Sequence, residues 1–150
     1  MKHWLMKSEP DTFSIDDLAK VGTEPWSGVR NFQARNFMRQ MAVGDKVFFY
    51  HSSCAVPGVV GIATVASEAH PDPTQFQRKS DYFDEKSTRE QPRWDLVDVA
   101  FERKLRRTIT LDEIRQHDDD LGDFALTRRG NRLSVMPVTA AQWKRILALE

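Results

Sequence analysis

K-V-F-F-Y-H-S-S-C-A-V-P-G-V-V-G-I-A-T-V, from Lys46 to Val65, is the stretch that decides the architecture. Val47 to Tyr50 is apolar and rich in residues that suit a buried pleated surface, so Lys46 to Tyr50 reads as a buried strand. Val59 to Val65 is a second β-branched run, and Gly61 inside it marks a bulge or a close backbone approach. His51 to Gly58 separates the two runs, and this loop is too short for the helical crossover that a parallel pair needs. The two strands are therefore expected to be antiparallel neighbours. Working outward, His3 to Ser8 alternates Trp4, Met6 and Ser8 against His3, Leu5 and Lys7, and Pro10 stops it. Trp94 to Arg103 is a further strand with Val97, Val99 and Phe101 on one face, and Arg132 to Val138 is the last. Ser14-Ile15-Asp16-Asp17 resembles a capping box and opens a short helix closed near Gly22. Thr110 to Glu113 and Thr139 to Gln142 cap two more, the last carrying Trp143, Ile146 and Leu147 inward. Asp118 to Asp120 reads as a solvated turn, and residues 68–93 as a long loop of the kind that carries function. The sum is one α+β domain over residues 1–150. It has a curved, mostly antiparallel sheet of about five to six strands closing toward a β-barrel, with short flanking helices.

The composition narrows the function. Lys plus Arg and Asp plus Glu are both 22, so the formal net charge is zero. That excludes a polybasic binder whose affinity comes mainly from neutralising phosphates. One cysteine, Cys54, rules out an internal disulfide framework and fits a reducing, cytoplasmic setting. The start M-K-H-W-L-M-K-S-E-P is not a secretory signal, and no apolar run is long enough to span a membrane. No phosphate-binding loop or dinucleotide fingerprint occurs, and His3, His51, His70 and His117 lack metal-ligand spacing, so no cofactor and no metal is expected. His51 and Cys54 lie three apart with no partner at triad spacing. A monomeric binding module, not an enzyme, with no catalytic residues, is the expectation.

Glu24 to Met41, E-P-W-S-G-V-R-N-F-Q-A-R-N-F-M-R-Q-M, carries the binding chemistry. Ala34, Phe37, Met38 and Met41 form the inner stripe of a helix, and Asn31 suits its N-cap. Arg35 and Arg39 lie off that stripe, Arg30 just before it. Pro25-Trp26-Ser27-Gly28 is a turn bearing an indole. An aromatic ring, an arginine and an amide-rich helix start suit a planar or anionic ligand. The plainer reading is a buried Trp, a solvated arginine face and an ordinary cap.

Taken in order, K-S-E-P (7–10), W-S-G-V-R-N-F-Q-A-R-N (26–36), F-F-Y-H-S (48–52) and R-L-S-V-M-P-V (132–138) resemble the EVE family, of the PUA-like group of folds. The resemblance covers nearly the whole chain. It implies a PUA-like barrel that binds nucleic acid, with a modified base in DNA favoured as the target. It also implies kinship with YTH domains, which hold a methylated adenine in an aromatic cage. On that likeness Trp26 and Ser27 match the cage Trp and its polar neighbour, and Lys7, Ser8 and Glu9 approach the pocket. Gly28, Val29, Arg30 and Asn31 belong to the same motif. Tyr50, His51, Ser52, Arg132 and Ser134 are further candidate wall residues. A second cage aromatic is sought in the long loop among Phe76, Tyr82 and Phe83, with Tyr82 and Phe83 preferred. Arg30, Arg35 and Arg39 are the candidate phosphate contacts. A nuclease or methylase partner acting in trans is compatible with this reading.

Magnitudes set what such a pocket must supply. Stacking on an aromatic ring contributes about 1–3 kcal/mol per base, while flipping a base from a duplex costs a few kcal/mol. One platform about breaks even, so hydrogen bonds to the base edge must provide the rest. One buried methyl adds about 0.8 kcal/mol, roughly a fourfold preference. The alternatives are structured or modified RNA, and a small anionic metabolite held by Arg30 and the helix start.

Overall fold

Lys46–His51 (β3) and Gly58–Val65 (β4) form the expected antiparallel pair, and the rest of the sheet grows from both of its edges. The computed structural model describes all 150 residues. In chain order the earlier elements are strand β1 (His3–Ser8), helix α1 (Ile15–Val21), strand β2 (Thr23–Pro25) and helix α2 (Phe32–Arg39). After β4 come strands β5 (His70–Pro71), β6 (Asp95–Leu96) and β7 (Asp98–Thr110), then helices α3 (Leu111–Gln116) and α4 (Asp118–Leu121). Strand β8 (Val135–Val138) and helix α5 (Ala140–Leu147) end the chain, and short 3-10 turns lie at Pro73–Phe76 and Ala125–Thr127.

Six strands make one curled sheet in the order β2-β7-β4-β3-β1-β8, a half-barrel whose end strands do not pair with each other. Every pairing in it is antiparallel except β1 with β3. That parallel pair adds to the expected antiparallel pattern. It is sterically available because α1, β2 and α2 lie between the two strands and provide the crossover. Gly61 sits at a register shift of β4 and in a crowded place: a Cβ there would fall 2.4 Å from Cδ1 of Ile15. The absence of a side chain lets α1 lie directly on the sheet.

The helices form for local reasons and dock through their apolar residues. Ser14 and Asp17 make a reciprocal capping box, and Ile15 and Leu18 are buried. The Asn31 side chain accepts from the Ala34 amide at 2.9 Å, and Ala34, Met38 and Met41 enter the core. Thr139 and Gln142 cap α5, whose Trp143 stacks on Phe48 at 3.7 Å.

Three boundaries differ from the sequence reading. The strand expected over residues 94–103 divides: Asp95–Leu96 pairs with His70–Pro71 in a separate ribbon, and β7 runs on to Thr110. Leu105 and Ile109 are buried while the charged residues between them face out, which carries the strand past Arg103. The last strand begins only at Val135, because the Asn131 side chain holds residues 131–133 in a turn, accepting from the Leu133 amide at 3.1 Å. The acidic run is a turn of helix, with Asp119 and Asp120 solvated as expected. Leu121 is buried at its end, and Arg145 donates to Asp120 at 2.7 Å.

Candidate functional site

Where β1 ends and β2 runs into the next turn, the surface opens into a cavity of about 490 Å³. Its walls are Lys7 and Ser8 at the end of β1 with Glu9 just beyond, Thr12 and Phe13 before α1, Glu24 to Ser27, and Tyr82 from the long loop. The parallel register aligns Lys7 with Tyr50 and Ser8 with His51, and Ser52 donates its amide to the Ser8 carbonyl at 3.0 Å. The first strand is thereby fixed at the cavity mouth by the strand behind it.

Trp26 is both a core and a cavity residue. It is 9% exposed, and its ring meets Phe49 edge-on at 5.5 Å and Phe13 at 6.4 Å. Its backbone amide donates to Val97 at 2.9 Å, which ties the turn to the sheet. The indole N–H is different from those of the more deeply buried tryptophans. Trp4 donates to Asp45 at 3.0 Å and Trp94 to Asp84 at 2.7 Å. Trp26 Nε1 has no protein acceptor and yet is not among the sealed, unsatisfied atoms, of which Asp118 Oδ1 is the sole instance. A buried indole that keeps a free, solvent-reachable donor is suited to a ligand.

The second aromatic arrives by way of a latch. Asp72 is fully buried; its Oδ2 accepts from the Gly28 amide at 2.8 Å and from Arg30 at 3.1 Å. Its Oδ1 accepts from the Thr74 amide at 2.8 Å and the Thr74 hydroxyl at 2.6 Å. Burial alone pushes this carboxyl up, but the bonds from Thr74, Gly28 and Arg30 outweigh it and hold it below the usual range. Arg30 also donates to the Thr74 hydroxyl and twice to the Tyr82 carbonyl. The Tyr82 ring then lies on Gly28, where φ is +87° and a Cβ would come within 2.7 Å of the ring. Gly28 is thus needed twice, for its left-handed backbone and for the space it leaves. Buried Gln75 completes the loop by donating to the Asp72 and Trp94 carbonyls at 2.7 Å and accepting from the Arg93 and Trp94 amides.

Charge in the cavity is mixed. Burial lowers the Lys7 ammonium, which lies 5.8 Å over the Tyr50 ring, and burial raises the Glu24 carboxyl. The Ser8 hydroxyl donates to the Phe13 carbonyl at 2.5 Å, bracing the turn before α1.

Of the residues singled out in the sequence, Lys7, Ser8, Glu9, Trp26, Ser27 and Tyr82 line this one cavity. Gly28 and Arg30 hold Tyr82 in place, and Val29 is buried in the core. Tyr50 lies behind the wall, its hydroxyl pushed up to about 12 by burial. His51 Nε2 accepts from the Ile15 amide at 3.1 Å, and burial holds the ring below the usual histidine range. Ser134 gives its carbonyl to the Lys7 amide, and Phe83 points outward. Asn31 and Arg132 face each other across a second, smaller cleft of about 290 Å³. The three candidate phosphate arginines serve the fold: Arg30 as above, Arg35 on the Arg93 carbonyl at 2.8 Å, Arg39 on Asp95 at 2.5 Å. Glu24 and Pro25 of the quoted binding stretch join the walls too, and Thr12, Phe13 and Asp72 join the site without having been singled out. Only Asp72 left a signal, as an Asp before Pro at the start of a turn.

Comparison with known proteins follows the same outline. The EVE domain matches residues 2–149. Thymocyte nuclear protein 1 of Gallus gallus is 43% identical over 166 residues, covering 99% of this chain and 68% of that one. A crystal structure of human THYN1 protein in complex with 5-methylcytosine containing DNA superposes with a TM-score of 0.95 at 40% identity, over 99% of this chain and 97% of that chain. A protein of Pseudomonas syringae superposes with a TM-score of 0.94 at 50% identity, over 98% of both.

Proposed function

This chain belongs to the EVE domain family, and from that premise we propose that it binds DNA and takes a modified base, 5-methylcytosine first among candidates, into the cavity between Trp26 and Tyr82. The observation that carries the reading is the free indole donor of Trp26 in a cavity that also holds the Tyr82 ring. Its volume falls in the range of small-ligand pockets. The chemistry of the rim supports a base edge as occupant. Cytosine presents an amino donor beside ring acceptors, and the walls offer carboxylates at Glu9 and Glu24 with donors at Lys7, Ser27 and Trp26. The human relative solved with DNA containing 5-methylcytosine supports the substrate class. The chain acts as a binder, and any cutting or methylation of the bound strand is left to a nuclease or methylase in trans.

The test is a titration of the protein against matched oligonucleotides that differ at one position: cytosine, 5-methylcytosine, and the same sequence as RNA. Methylated DNA should bind best, by roughly fourfold or more over cytosine, since one buried methyl contributes about 0.8 kcal/mol. Equal affinity for the two DNAs, or preference for the RNA, would sink the assignment.

A further inference from the structure

The smaller cleft differs from the first cavity in charge. Asn31 and Gln33 at the start of α2 form one side, and residues 128–133, R-R-G-N-R-L, form the other. Three arginines and no carboxylate line it. In a chain with equal numbers of acidic and basic residues, that is a local excess, offset only by the exposed Asp123 beside Arg128.

The contrast with the other arginines is informative. Arg30, Arg39, Arg93, Arg103, Arg107 and Arg145 each pair with a carboxylate of the fold, and Arg78, Arg89 and Arg115, which make no ion pair, lie outside the cleft. Arg129 and Arg132 are exposed and make no hydrogen bond or ion pair with the protein, and Arg128 reaches only the exposed Asp123 at 3.2 Å. The backbone that carries them is nevertheless held firmly. The Asn131 side chain donates to the Ala125 carbonyl at 2.6 Å and accepts from Leu133, and the Arg128 amide donates to Phe124 and Ala125. Gly130 turns the loop at φ +75°. Free guanidinium groups on a pinned loop match anionic oxygens, because the planar fork meets a phosphate with two parallel hydrogen bonds.

Position decides which phosphate. Ser27 lines the cavity and Asn31 the cleft, so four residues, at most about 14 Å of chain, separate the two. From the other side, Ser134 binds the Lys7 amide of the cavity wall and Arg132 is two residues away. Successive phosphates of one strand are about 3.4 Å apart along a duplex axis, so the cleft lies within a few nucleotides of a base held at Trp26.

We propose that this cleft holds backbone phosphates of the strand whose base enters the cavity, with Arg129 and Arg132 taking the non-bridging oxygens. The assignment rests on the base-binding reading for its biological ligand, and two probes separate them. The first is methylated and unmethylated duplex, titrated over a salt series with wild type, R129A/R132A and R132K. If the two arginines neutralise two phosphates, the double variant should lose about 1.8 from the log-log salt slope. By the same relation it loses roughly 200-fold in affinity at 50 mM salt and roughly 30-fold at 150 mM. The loss should be equal for both duplexes, and R132K should lie between. The second probe is an abasic deoxyribose-phosphate octamer, followed by NMR shifts of residues 128–133. It has phosphates and no bases, so it should bind wild type and W26F alike and fail to bind R129A/R132A.

An unchanged slope, a loss confined to methylated duplex, or an octamer that ignores the arginines would overturn the proposal. Octamer binding that depends on the arginines, with no preference for methylated DNA, would keep the cleft and discard the base reading. Arg129 and Arg132 are exposed, so unchanged melting curves serve as the folding control for their variants, and W26F, at a buried ring, is used only if it melts as a folded protein.

Discussion

Trp26 shows why a single substitution must be chosen with care. Truncating a buried Trp to Ala costs about 3–5 kcal/mol of stability, and the contacts with Phe49 and Phe13 place Trp26→Ala in that range. Loss of binding by that variant would then confound folding with recognition. Trp26→Phe keeps a ring against Phe49 and removes the free indole donor. A hydrogen bond contributes about 0.5–1.5 kcal/mol, so the variant should fold and bind methylated DNA about two- to twelvefold more weakly. Tyr82 allows the sharper separation, because it is 42% exposed. Tyr82→Ala should change stability by no more than about 0.5 kcal/mol while weakening binding about five- to 150-fold if a base stacks there. Trp143→Ala, which removes the stack on Phe48, should cost stability and leave the ratio of methylated to unmethylated affinity unchanged. A Tyr82→Ala protein that binds like wild type would remove the second ring from the site.

At the scale of elements, the site depends on a loop rather than on a strand or helix. Residues 72–94 reach the cavity because Asp72, Gln75 and Asp84 use their polar atoms internally. Asp84 accepts from Trp94 and Arg93, and the Trp94 bond is the chief reason its carboxyl lies below the usual range. Asp72→Asn removes the charge opposite Arg30 and leaves a buried pair broken. Such losses cost about 3–5 kcal/mol, here concentrated in the loop and in the Gly28 turn. Hydrogen exchange should speed up across residues 72–94 with the central strands β3 and β4 still protected. Binding of methylated DNA should fall with it, since Tyr82 loses its anchor. If exchange in the loop is unchanged in Asp72→Asn, the latch has been misread.

Over the whole molecule, charges are mostly spent on the fold, which shapes the response to salt and acid. Two or three free arginines at the cleft predict a log-log salt slope of about −2 to −3 on duplex DNA. That is the shallow end of the −2 to −4 that two to four contacts give, and a slope near −8 would require a far more extended basic surface than this cleft. Acid acts through buried carboxylates. Asp45 accepts from Trp4, Lys2 and Ala42, and although burial raises it, these bonds bring it, like Asp72, below the ordinary 3.8. With folded pKa values depressed, the unfolded chain binds more protons as pH falls. Their stabilisation is therefore complete above the unfolded value near pH 4 and is lost as pH drops through the folded values. Melting temperature should slip modestly below about pH 6.5, where the unfolded chain protonates His51 and the folded ring resists it, and fall steeply below 4. Asp45→Asn should flatten part of that fall, and an acid limb unaltered by it would exclude Asp45 as a source.

How much of this was legible in the chain follows from the range of the forces involved. Capping at Ser14, Asn31 and Thr139 and the antiparallel turn between β3 and β4 depend on near neighbours or on alternation, and the sequence by itself determined them; a glycine inside β4 flagged a close approach, but that Ile15 makes it is tertiary. The resemblance to the EVE family, carried by the motif around Trp26 and by K-S-E-P at the end of β1, pointed to half of the cavity's walls. Tertiary structure alone decided the rest. The pairing of β1 with β3 joins residues some forty apart, and no local signal encodes a parallel register. Which arginines stay free is a matter of what lies opposite each one: Arg30 meets Asp72, Arg39 meets Asp95, and Arg129 and Arg132 meet nothing. An arginine in sequence carries the same charge in either case. Its partner, and so its availability to a ligand, exists only once the chain has folded.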